Sequence, residues 1–252
     1  MSVFLDKGDT ISKMKEKLGG RIVKLIRYRL LLTSGFLVCL LAGAVSAQEI
    51  MTANDYFDSI SERYGRVDDY EARLTITRDE EVMTGTVYYK NPNLLRINFS
   101  EPEEQVLALD GELLTIYIPA HSVIMEQNIK RHSSATLATM ASSQGLNLLK
   151  RNYSIAYLSG PDPVPLDEES DEMVVKLKLE WKSTDEGFRQ LEISVGENGL
   201  IRRILGVTGG YETIQFDFTN IIINQNIPDA RFRYESPASA NVFNNFLFDP
   251  EG

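Results

Sequence analysis

The 252-residue sequence predicts a mainly β chain of the α+β class, built around an antiparallel meander. Two observations carry this. Short segments with apolar/polar alternation of period two recur along most of the chain, separated by turn signals such as Asn91-Pro92-Asn93 and Asp110-Gly111. No such segment alternates with a long helix, so parallel βαβ topology is not expected.

The N-terminal stretch stands apart. Residues 14–29 are basic, Leu30 to Val45 is an apolar run, and the run ends in Val45-Ser46-Ala47. A basic segment, a short apolar segment and small residues before a cut form a secretory signal, with cleavage expected after Ala47 and export to the periplasm. An uncleaved anchor needs roughly 20 apolar residues, more than this run offers. Met14 opens a more ordinary signal than Met1, so either methionine serves as a start. Cys39, the one cysteine, follows Phe36-Leu37-Val38 instead of a small residue, so a lipoprotein-type site is not expected. The 205 residues from Gln48 onward form one expected domain, 48–252, that relies on a core and not on disulfides.

That part carries 18 Lys or Arg against 33 Asp or Glu, a net charge of −15. Such a surface repels phosphate backbones and anionic headgroups, which excludes nucleic acid as a partner and favours a basic protein surface.

Ile50, Tyr56, Phe57, Ile60 and Tyr64 recur at spacings near three and four, predicting an amphipathic first helix with Thr52 or Asn54 at its N-cap. Strands are expected at Tyr70–Thr77, Thr84–Lys90, Leu94–Phe99, Val106–Leu109, Leu113–Ile118 and Val123–Glu126. Ser133 to Leu149 breaks the rhythm and reads as a second helix or helical loop. Further strands are expected at Tyr153–Leu158, Met173–Trp181, Arg189–Val195, Ile201–Thr208, Glu212–Asn220 and Arg231–Glu235. The total is about a dozen. The acidic stretch Asp167 to Glu172 lacks calcium-loop glycine spacing and reads as a solvated hairpin loop.

Catalytic motifs are missing. His121 and His132 lie on polar-flanked loop sequence, and no nucleophile elbow, phosphate loop or zinc signature occurs. No cofactor or metal is expected, and carboxylate pairs in so acidic a chain carry little information.

The segment Tyr88-Tyr89-Lys90-Asn91-Pro92-Asn93-Leu94-Leu95-Arg96 resembles the outer-membrane lipoprotein carrier family, whose members place an R-P-N turn between two strands. Glu103 to Pro119, with Asp110-Gly111 at its centre, is similar to that family's next hairpin. Leu191 to Ile201 and Asp229 to Pro237 resemble later family segments in the same order. The resemblance implies an unclosed, curved antiparallel sheet, a half-barrel of about 11 strands with helices covering a cavity. It also implies a monomeric, non-enzymatic carrier of acylated lipoproteins, with an inner-membrane ABC exporter and an outer-membrane acceptor as partners.

By strand parity, Leu74, Ile76, Tyr89, Leu95, Ile97, Leu177, Leu179, Trp181, Ile214 and Phe216 face either a lipid cavity or an ordinary core. Asn91 stands where the family has an arginine that holds a helical lid, and Lys90 and Arg96 are the nearby cations that could substitute. The expected lid is Ser133 to Leu149 with the first helix, carrying Leu137, Met140 and Leu146. Two other readings stay open: a periplasmic lipid- or glycolipid-binding or sensing module on the same scaffold, and an extracytoplasmic carboxylate enzyme.

Overall fold

One sheet organises the chain, and its inner face is apolar along nearly every strand. The computed structural model describes residues 51–128, 142–184 and 186–246, which fall in the second of two compact units, Ile50–Gly252. The expected cleavage position at Ala47 and residues 133–141 of the expected lid lie outside the described residues. No helix among the described residues is long and apolar enough to cross a membrane.

Helix α1 (Ala53–Gly65) begins at Thr52, whose side chain accepts from the Asp55 N–H at 3.2 Å. This satisfies one of the helix's otherwise orphaned donors. Phe57, Ile60 and Tyr64 form its buried stripe. Six strands follow as a meander: β1 (Asp69–Arg78), β2 (Glu81–Lys90), β3 (Leu94–Glu101), β4 (Val106–Asp110), β5 (Leu113–Ile118) and β6 (Val123–Asn128). Helix α2 (Ser143–Asn152) is capped by Ser142 and has Lys150 and Arg151 in its last turn, where cations suit the helix dipole. It runs into β7 (Tyr153–Tyr157), then β8 (Val164–Pro165), β9 (Met173–Trp181), β10 (Phe188–Gly196), β11 (Ile201–Thr208) and β12 (Thr213–Ile223).

The strand order is β13-β6-β5-β4-β3-β2-β1-β12-β11-β10-β9-β7, with β8 paired to β9 and β13 spanning Asn241–Asn244. The two meanders therefore meet where β1 pairs antiparallel with β12, and the two ends of the order, β13 and β7, do not pair with each other. Register shifts at Glu71/Arg73, Thr84/Gly85, Phe188/Gln190 and Ser194/Val195 insert bulges that concentrate twist and bend the sheet. At Gly85 an added Cβ would lie 2.5 Å from the Asn98 carbonyl oxygen, so the backbones approach there only because the side chain is missing.

Among the described residues the sheet thus has thirteen strands and the open, curved antiparallel form expected from the sequence, with one parallel pair, β13 and β6. One expected strand is corrected. Arg231–Glu235 is not paired in the sheet: Asp229–Phe232 is a 3-10 turn, and the chain beyond it is extended but unladdered. The reason is competition for carbonyls, since Arg96 Nη1 donates to the Arg231 and Arg233 oxygens at 3.1 and 2.8 Å. The acidic stretch is the exposed β8–β9 hairpin loop expected from the sequence, and two of its carboxylates are paired. Glu172 is bonded twice by the Arg202 guanidinium and Asp167 twice by that of Arg203, which holds the Asp167 carboxyl below its usual range.

The C-terminal segment is strapped across the outer face. Asp69, 2 % exposed, accepts from the Gln225 and Ile227 N–H groups at 2.7 and 3.1 Å, and Lys90 Nζ donates to the Ile227 oxygen. The 3-10 turn then packs on β3 and β4, burying Phe232. Asp69→Ala leaves the buried Ile227 N–H and the partly buried Gln225 N–H without their acceptor and is expected to cost about 1–3 kcal/mol, read from the urea midpoint at unchanged slope. A loss below ~0.5 kcal/mol would show that the strap contributes little.

Candidate functional site

In an antiparallel ladder, opposed residues point to the same face, so the pairing defines the inner surface. One row runs Leu109, Leu95, Tyr89, Tyr70, Ile223 across β4 to β12. Another runs Met83, Ile76, Phe216, Ile204, Ile193, Leu177, Tyr157 from β2 to β7. A third runs Ile214, Gly206, Leu191, Leu179, Ile155. Trp181 faces inward opposite Tyr153.

All ten residues expected from parity belong to one hydrophobic cluster on this face, and burial divides them. Leu74, Tyr89, Leu95, Ile97, Leu177 and Leu179 are fully buried, packed with Leu146 and Leu149 of α2 and Phe57 and Ile60 of α1. Ile76, Trp181, Ile214 and Phe216 are half-buried. They lie toward the end of the sheet that carries the β1–β2 and β11–β12 turns; Phe99 shares this end, and Leu107 and Ile116 are half-buried on the inner face of β4 and β5.

Tyrosine hydroxyls are among the polar groups set into the covered part, with Ser142 and Gln127 also fully buried. Tyr64 Oη accepts from the Ile201 N–H at 3.0 Å, and Tyr153 Oη donates to the Phe188 oxygen at 2.7 Å. Burial raises the phenols of Tyr64, Tyr70 and Tyr89, and burial with Glu186 nearby pushes Tyr153 up to about 12, so these groups are neutral at physiological pH. An apolar surface set with neutral tyrosine hydroxyls is chemically compatible with hydrocarbon. Among the described residues no group of three His, Cys, Asp or Glu side chains could hold a metal ion.

Of the expected lid residues, Leu146 is fully buried on α2, and Leu137 and Met140 lie outside the described residues. Asn91 is exposed at the β2–β3 turn, its N–H donating to the Asp68 oxygen at 2.8 Å. Neither nearby cation reaches the helices: Lys90 bonds Ile227 and Asp229, while Arg96 bonds Asn98, Arg231 and Arg233.

Residues 75–235 match the family model described as outer membrane lipoprotein carrier protein LolA. The chain belongs to the outer-membrane lipoprotein carrier family. An outer-membrane lipoprotein carrier protein of Hahella chejuensis is 26% identical over 205 residues, covering 79% of this chain and 93% of that one. The namesake from Haemophilus ducreyi is 23% identical over 182 residues, covering 69% and 76%. The crystal structure of an uncharacterized conserved protein from Thermus thermophilus shares the fold at 14% identity, with a TM-score of 0.50 over 76% of this chain and 98% of that one.

Parity reasoning does not single out Leu107 and Ile116. The signal is present, but β4 reads Val106-Leu107-Ala108-Leu109, apolar on both sides, because Val106 and Ala108 are buried on the outer face. Burial also supplies a way to separate core from site. Leu177→Ala, at 0 % exposure, is expected to lower stability by about 2–5 kcal/mol. Phe216→Ala is expected to cost less stability and to weaken binding of a fluorescent acyl probe by a larger factor. Equal effects of the two substitutions on both readouts would erase the division.

Proposed function

We propose that the protein carries acylated lipoproteins through the periplasm, from an inner-membrane exporter to an outer-membrane acceptor, with the acyl chains held against the half-buried inner face. The observation that carries this reading is the patch formed by Ile76, Phe99, Leu107, Ile116, Trp181, Ile214 and Phe216 on a sheet of the lipoprotein carrier family. The relatives' names supply the cargo class, and the N-terminal export signal supplies the compartment.

The energetics give such a surface its purpose. Shielding one methylene from water is worth about 0.8 kcal/mol, so one long acyl chain costs on the order of 10 kcal/mol to expose. No diffusing lipoprotein crosses water at that cost without an apolar host. Hairpin tips beside the patch are acidic: Asp79, Glu80, Glu81, Glu101, Glu103 and Glu104 are exposed there. A partner that docks at this end to deliver or receive cargo therefore presents a basic surface.

Trp181, the single tryptophan, lies half-buried on this face and reports on occupancy directly. Acyl chains brominated along their length are expected to quench its emission saturably, whereas non-brominated chains shift the emission without quenching. Chains that bind by another assay but leave Trp181 unquenched would contradict the placement.

A further inference from the structure

The inward row Ile214, Gly206, Leu191, Leu179, Ile155 has one position without a side chain. Gly206 is buried in the middle of β11, where a glycine weakens the ladder unless something needs the space. The ring of Phe188, from β10, takes that space. A Cβ built on Gly206 would lie 2.5 and 2.6 Å from Cε1 and Cδ1 of the ring, so the ring rests on the Gly206 backbone and stands where its side chain would be. Phe188 is 3 % exposed.

A bulge delivers the ring to this place. Leu191 and Ile193 face inward, so strict alternation would turn Arg189 inward and Phe188 outward. Instead Phe188 pairs with Thr208 and Gln190 with Val207, which makes Arg189 the extra residue and turns Phe188 to the inner face. The Arg189 guanidinium lies 4.2 Å from the centre of the Tyr211 ring in the β11–β12 turn. The Tyr153 hydroxyl donates to the Phe188 oxygen at 2.7 Å, which holds the backbone of the bulge.

Half-buried residues of the inner face flank the ring. Ile214 is next to Gly206 on the β12 side, and Trp181 lies on the β9 side, its ring reaching within 3.8 Å of a Cβ built on Gly209 in the β11–β12 turn. An apolar chain lying on Ile76, Phe216 and Ile214 therefore meets the Phe188 ring as it extends toward β10. We propose that Phe188 sets the length of acyl chain that this face accepts: its ring fills the slot above Gly206 and ends the groove on that side. The proposal rests on the carrier reading above; the packing of ring on glycine does not. Around an ordinary truncated core residue, neighbouring side chains relax partway into the gap. The floor of this slot is bare backbone, so the space left by Phe188→Ala stays open to a ligand.

Displacement of a fluorescent acyl probe by saturated fatty acids of ten to twenty carbons reads the length directly. In the parent protein affinity is expected to rise about four-fold with each methylene that finds shelter and then to level off. In Phe188→Ala the rise is expected to continue for two further methylenes, so chains beyond the parent's limit gain about ten-fold while shorter chains bind as before. Phe188→Leu keeps a branched side chain, and the fold where the larger truncation loses it, and is expected to move the limit by about one methylene. Gly206→Ala added to Phe188→Ala puts a methyl group into the vacated slot and is expected to draw the limit back, although Gly206→Ala alone collides with the ring and destabilises the protein.

A limit at the same length in the parent, Phe188→Ala and Phe188→Leu overturns the proposal. So does an equal loss of affinity at every length, which would make the ring a core residue and nothing more. Affinity that still rises at twenty carbons in the parent overturns it as well, since no group would then end the groove. A parent protein that binds neither the probe nor any fatty acid contradicts the carrier reading itself, a result distinct from each of these.

Discussion

The structure depends on a mismatch of area. Neighbouring strands lie about 4.8 Å apart, so the twelve-strand path spans more than ~50 Å across. Two helices side by side, each about 10 Å wide, cover roughly 20 Å of that arc. The inner face is nonetheless apolar from β6 to β7, because each strand carries the alternation that a buried sheet requires. Among the described elements, α1 and α2 bury one part of this surface and leave the remainder half-exposed. Curvature completes the arrangement: the bulges bend the sheet so that its uncovered apolar residues face a concavity and not a flat wet surface. A sheet of this kind is stable because of its packed half, and the proposed binding of hydrocarbon falls to the other.

The outer face has the opposite task. There the 3-10 turn of the C-terminal strap packs on β3 and β4 with Phe232 buried, and guanidinium groups ride on aromatic rings, Arg231 over Tyr88 and Arg96 over Tyr234. The strap then supplies β13, which pairs with the β6 edge and protects a strand otherwise open to association. Lys90 and Arg96 are committed to this strap. Asn91, where the resemblance to the lipoprotein carrier family places an arginine, lies exposed at the β2–β3 turn with its N–H donating to the Asp68 oxygen.

Most strands are legible in the sequence because period-two alternation and turn residues are local properties. The inward set on β9 and the meander from β1 to β6 follow from them, and of the two caps the sequence offers for α1, Thr52 or Asn54, the structure uses Thr52. What escapes a sequence reading is decided by distant partners. Arg231–Glu235 alternates like a strand, yet its carbonyls are claimed by Arg96 from β3. Asn241–Asn244 has no burial pattern and becomes a strand only because an unpaired edge lies beside it. The acidic loop is exposed as its sequence implies, but its pairing with Arg202 and Arg203 of β11 is not legible there. Within the site, parity gives the facing of all ten residues, but which are covered by helices and which are not is a property of packing that alternation does not encode.

The central claim is that the uncovered inner face holds the acyl chains of a lipoprotein. Native mass spectrometry of the protein purified from the periplasm, followed by organic extraction, tests it most directly. A non-covalent complex is expected, its added mass that of an acylated lipoprotein. Bound free phospholipid or glycolipid in its place, or a protein that carries nothing and takes up no acyl probe, would contradict the claim.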